Sequence, residues 1–171
     1  CDIFQNTNGT NASSISRALA GTPGNKDPAT NNFSHTFTNS MDLLTLQSAT
    51  YYIGNGANGL PALRRISYSS GIAVNEELVD GVQDMQILYG LADANKQITS
   101  YETANNGGTW NAAKWATVAS VRINLLIVSA DSNVIEGANQ IIAFNGANVT
   151  IPNRRLAKIF TSTIGIRNRL P

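Results

Sequence analysis

Hydrophobic positions are densest in the stretch Trp115–Ser129, WATVASVRINLLIVS. It has no Gly or Pro and is dominated by β-branched residues, so Val118, Val121, Ile123, Leu125, Ile127 and Val128 predict a central strand. Arg122 and Asn124 fall on one face at period two. Val121, Ile123, Leu125 and Ile127 fall on the other, which is the face expected to look into a core. Leu126 and Val128 make the second face apolar near its end, so that end is expected to be covered on both sides.

Upstream, Asn6–Asn11 carries a loop composition, and Ile15, Ala18 and Leu19 within Ser13–Leu19 have the spacing of a short helix. The polar, Gly- and Pro-bearing run to Asn32 predicts a long surface loop. Strands are expected at Phe33–Thr38, Leu43–Gln47 and Ala49–Ile53. Gly54–Gly59, GNGANG, matches G-x-G-x-x-G, but Pro61 and the early Ser69–Ser70–Gly71 turn leave no room for a crossover helix. A hairpin loop is the better reading. Asn75–Met85 places Leu78, Val79, Val82 and Met85 at helical spacing behind an Asn75 cap, predicting one or two turns of helix. Further strands are expected at Gln86–Leu91, Gln97–Tyr101, Gln140–Phe144, Asn148–Ile151 and Leu156–Arg167.

Length and composition add bounds. A chain of 171 residues with 42% hydrophobic content can bury a core and most simply forms one domain, 1–171, with a loop-rich part at 1–49 and a sheet core at 50–171. Its net charge of +1 gives no global attraction to nucleic acid or anionic membrane. Only 13% of residues are charged, and Asn, Thr and Ser take their place, as on many secreted or cell-surface β-proteins. The lone Cys1 has no internal disulfide partner. No stretch reaches the ~18–20 apolar residues of a membrane helix. Because the opening CDIFQNTNG lacks an initiator Met, we expect a processed or truncated chain.

Candidate chemistry is sparse. His35 is the single histidine and no G-x-S-x-G elbow occurs, so a Ser-His-acid triad has one base and no recognisable nucleophile setting. One Cys and one His cannot assemble the usual zinc site. Asp93 and Asn95 faintly resemble a calcium loop but lack its fixed Gly and distal Glu. Glu76, Asp80 and Asp84 would stack along a helix, which reads as a solvated face. Arg154, Arg155, Lys158, Arg167 and Arg169 make the last part of the sequence basic. A contact patch for DNA phosphates at Arg154, Arg155 and Lys158 is one reading, and protective charges on a strand edge are the other. No cofactor is expected.

Taken in order, LVDGVQDMQILYG at Leu78–Gly90, the strand VASVRINLLIVS and the ending RRLAKIFTSTIGIRNRLP resemble the soluble domain of PilW-type minor pilins of bacterial type IV pili. TYYIGNGANGLPALRR at Thr50–Arg65 resembles the hairpin that precedes them. The residues carrying the resemblance include Gly81, Val82, Tyr89, Gly90, Trp115, Arg122, Arg167, Asn168 and Arg169. The resemblance implies an α+β fold, a pilin-like roll of mainly antiparallel sheet with short helices, its long N-terminal helix largely missing here. It also implies a subunit anchored in the inner membrane through that helix, with a periplasmic domain that later reaches the pilus tip. The expected partners are other minor pilins, the major pilin and the assembly machinery, in service of twitching, adhesion and DNA uptake.

The resulting expectation is a non-catalytic subunit that works by presenting faces to its neighbours. A J-type pseudopilin of type II secretion, which shares the motif layout, is the nearest alternative. A surface module binding DNA or glycan is another.

Overall fold

The computed structural model of the protein describes residues 2–9, 11–18, 24–25, 33, 42–69, 72–104, 108 and 110–169. Two compact units are present: Cys1–Thr50 with Arg65–Glu76, and Tyr51–Arg64 with Glu77–Pro171.

The first unit begins with a polar, irregular segment. No helix forms over 13–18, contrary to expectation. Short polar side chains take the backbone groups that a helix would use: Asn6 Oδ1 accepts from the N–H groups of Asn8 and Ser16, and Thr7 N–H donates to Ser16 O. Asn25 clasps Gln5, accepting from its N–H at 2.7 Å and donating to its carbonyl at 2.9 Å. Phe4 and Phe33 meet edge to face at 4.8 Å. Cys1, Leu19, His35 and the rest of the Phe33–Thr38 strand lie outside the described residues. Residues 43–47 are irregular and exposed rather than a strand.

Strand β1 (Ser48–Asn55), β2 (Pro61–Ser69) and β3 (Ile72–Asp80) form a three-stranded sheet in that order. The glycine-rich GNGANG segment is the β1–β2 connection, with Gly56 N–H bonded to Leu60 O at 2.7 Å. The hairpin reading holds. The helix expected over Asn75–Met85 does not form, because β3 runs to Asp80 and β4 (Val82–Ala92) starts two residues later. Gly81, at φ +69°, makes the break, and its carbonyl accepts from Val128 N–H at 2.9 Å. The acidic residues sit on separate strand rungs instead of stacking. Glu76 bonds Arg65 Nε at 2.7 Å, Glu77 pairs with Arg64 at 3.5 Å, and Asp80 accepts from Asn58 at 3.3 Å.

The second unit carries the main sheet. β4 lies between β5 (Ile98–Glu102) and β6 (Val118–Val128), and β9 (Ala157–Gly165) closes the order β5-β4-β6-β9, all antiparallel. The central strand is where the hydrophobic pattern put it, but it starts at Val118. The preceding residues form α1 (Ala112–Ala116), capped by Asn111 Oδ1 accepting from Lys114 N–H at 2.9 Å. The hairpin of β7 (Ile141–Phe144) and β8 (Ala147–Thr150) turns at Asn145–Gly146, both at positive φ as a tight hairpin turn requires.

The fold class expected from the sequence is corrected by this architecture. Antiparallel strands dominate the described residues, and the α-helix described is five residues long. The protein is therefore β-rich rather than a helix-packed α+β roll. β-branched and aromatic residues fill many of its apolar positions, and Gly81 breaks the Asn75–Met85 segment that had helical spacing.

The main core cluster lies on the even-numbered face of the central strand, near the end where covering was expected. Leu126, 1% exposed, and Val128 pack with Phe144, Ile151 and Ala157, with Ile142 and Val149 alongside. The β7–β8 hairpin thus covers the even-numbered face near its end. Val121, Ile123, Leu125 and Ile127, expected to be buried, are only half-buried.

Candidate interaction surface

Register fixes which side chains share that half-buried face. Directly paired residues of an antiparallel ladder point to the same side. Tyr89, Val121 and Ile164 therefore form one row, Ile87, Ile123 and Ser162 the next, and Met85, Leu125 and Phe160 a third. Lys158, opposite Ile127, ends the face. Ile87 is 36% exposed, and Phe160 and Ile164 are each 54% exposed. Three strands thus present a contiguous apolar surface with one cation at its margin.

An aromatic cluster borders the face. Tyr89 meets Trp110 at 5.6 Å and Trp115 at 5.1 Å, and the two Trp rings are 4.6 Å apart, all edge-on. Lys114 Nζ lies 5.1 Å from the Trp110 ring and pairs with Glu102 at 2.6 Å. Trp110 is buried, whereas Trp115 stays 40% exposed. Trp115 thus offers an aromatic anchor beside the sheet.

The other residues that carried the resemblance take structural positions. Val82 is fully buried. Gly90 is required by close approach, since a Cβ there would collide with Ser120 Oγ and lie 3.0 Å from Tyr101 Cε1. Arg122 stacks on the Tyr101 ring at 3.6 Å and donates to Thr163 Oγ1 at 3.4 Å, on the face opposite the apolar one. Arg167, Asn168 and Arg169 make a short 3-10 turn after β9. From it Arg169 Nη1 donates to Trp115 O at 2.6 Å and to Val118 O at 3.3 Å, holding the α1–β6 junction.

The remaining sequence candidates do not converge. Asp93 Oδ1 accepts from the N–H groups of Asn95 and Gln97, both at 2.9 Å, so this carboxylate caps its own turn. Among the described residues no group of three His, Cys, Asp or Glu could hold a metal ion. Arg154 donates from its guanidinium to Asn133 Oδ1, Arg155 is half-buried, and Lys158 belongs to the apolar face.

Met85, Ile87 and Ile164 were not singled out from the sequence as site residues. Their alignment with Phe160 depends on strand register, which no local pattern reveals. No helix among the described residues is long and apolar enough to cross a membrane.

In comparisons with known proteins, the family model of type IV pilus-assembly protein W, PilW, matches residues 50–168. No curated protein and no solved structure matches the chain. The match runs from within β1 through all three sheets to the Arg167–Asn168 turn, so the chain belongs to the PilW family, whose work is type IV pilus assembly at the cell envelope.

Proposed function

We propose that the protein is a non-catalytic minor pilin subunit. It joins other minor pilins, and through them the major pilin, in a tip complex that primes pilus assembly. It is held in the inner membrane during assembly and then carried to the cell surface. The observation that carries this reading is the open face of the main sheet, where Ile87, Phe160 and Ile164 stand exposed in register beside Trp115. Fully burying a side chain of this size contributes about 1.5–3 kcal/mol. With 36–54% of each still exposed, covering them adds roughly half of that apiece, a favourable share of a larger subunit contact that needs no reaction to be catalysed. The occupant is a neighbouring pilin subunit, in keeping with the family's assembly role.

The test is genetic and structural together. Deletion should abolish or sharply reduce surface pili. Complementation with Ile87→Asp should fail although the purified variant keeps its sheet by circular dichroism, while Glu76→Gln, in the other compact unit, should restore pili. Normal piliation in the deletion strain, or full rescue by Ile87→Asp, would sink the proposal.

A further inference from the structure

The outer edge of β9 is the longest unpaired strand edge of the main sheet among the described residues, nine residues against the five of β5. Parity along β9 shows which backbone groups point outward. Leu156 O accepts from Ser129 N–H and Ile166 N–H donates to Ala119 O, so the even-numbered residues bond toward β6. Odd-numbered residues point away from it. Ala157 confirms this: its N–H donates to Gln140 Oε1 at 2.7 Å and its carbonyl accepts from Gln140 Nε2 at 3.0 Å. A side-chain amide thus occupies the first outward rung, as a backbone amide of an added strand would. Ile159, Thr161, Thr163 and Gly165 offer the rungs that follow.

Edge strands are ordinarily protected by proline, a bulge, inward charges or short length. β9 has no proline, its register against β6 is unbroken, and its single charge is Lys158 at one end.

We infer that β9 pairs edge to edge with β9 of a second copy of this chain, antiparallel and two-fold about Ser162. In this register Ile159 faces Gly165 of the second copy and Thr161 faces Thr163. All four free rungs are then used, and the Gln140–Ala157 bonds stay intact. On the apolar face Phe160 comes opposite Ile164 in both halves, so two side chains that are each 54% exposed cover one another. Lys158 comes opposite Ile166, which keeps the two ammonium groups at opposite ends of the ribbon. No like charges oppose, and the strand is complementary to itself. The pairing is made by backbone groups of the edge, but Phe160 and Ile164 belong both to it and to the face assigned to pilus assembly. Ile87→Asp, on β4 and off this edge, separates the two, since it should leave the dimer intact while it blocks piliation.

The test uses the full 171-residue chain. Sedimentation should show a reversible monomer–dimer equilibrium. Thr163→Pro removes an outward N–H without touching the β6 ladder, a position where an edge strand tolerates proline, and should weaken dimerisation by more than about tenfold. In a Cys1→Ser background, Ser162→Cys brings the two thiols together across the two-fold axis, and oxidised glutathione should give a disulfide-linked dimer. Thr161→Cys, on the other face, should not crosslink. Circular dichroism checks that each variant is folded. A monomer at every soluble concentration with no Ser162→Cys crosslink overturns the inference, as does pairing of this edge only with a different pilus subunit.

Discussion

Replacing Gly90 by Ala tests how tightly the main sheet is built. Gly90 is buried on β4 between Tyr101 of β5 and Ser120 of β6. An added Cβ would occupy the place of Ser120 Oγ and lie 3.0 Å from Tyr101 Cε1 and 3.3 Å from Ile98 Cγ2. Ser120 is 4% exposed, and its hydroxyl donates to the Tyr101 hydroxyl at 3.2 Å. The serine must therefore turn away and lose that bond, at about 1 kcal/mol. Overpacking adds about 1–3 kcal/mol. The stiffer unfolded chain returns about 0.4–1 kcal/mol. The expected net loss is about 1–3.5 kcal/mol, read as a lower urea midpoint by fluorescence of Trp110 and Trp115. Ser120→Ala alone should cost about 1 kcal/mol, and adding Gly90→Ala to it should cost less than Gly90→Ala does in the native background. A loss under about 0.5 kcal/mol for Gly90→Ala, or strict additivity of the pair, would refute the steric argument.

Three further outcomes are expected. Leu126→Ala, in the core under the β7–β8 hairpin, should lose about 2–5 kcal/mol in the same urea assay, because the cavity lies among Val128, Phe144 and Ile151. Glu76→Gln should change stability by no more than about 1 kcal/mol, since the Arg65 and Glu76 side chains are 37% and 39% exposed. Asn111→Ala should cost about 1 kcal/mol and act locally, speeding amide exchange in α1 while β6 stays protected; equal acceleration in both would contradict a capping role.

Local chemistry made much of this fold legible. The run of β-branched residues at 118–128 has no competing conformation, so the central strand could be read directly, and GNGANG before Pro61 could only turn. The ordered motifs from Leu78 to the end of the chain carried the family resemblance. What failed depends on distant partners. Leu78, Val79 and Val82 fit a helix as well as two strands until Arg64 and Arg65 pair with Glu77 and Glu76 across the ribbon. The covering of Leu126 and Val128 at the end of β6 was legible, but that the face of Val121, Ile123, Leu125 and Ile127 stays only half-buried was not, because the β7–β8 hairpin, which folds back later in the chain, packs on the other side. The same holds for the open face: Ile87, Ile123 and Phe160 are unremarkable residues singly, and only the antiparallel register sets them side by side.

The pairing of β6 with β9 also orders events as the chain leaves the ribosome or crosses a membrane. β6 ends at Val128, but its outer neighbour begins only at Ala157, so the innermost ladder stands half-built while some thirty residues emerge. During that interval the most apolar strand of the protein is open to chaperones and to wrong partners. Sealing comes with the Arg169 guanidinium, which reaches back to the carbonyls of Trp115 and Val118.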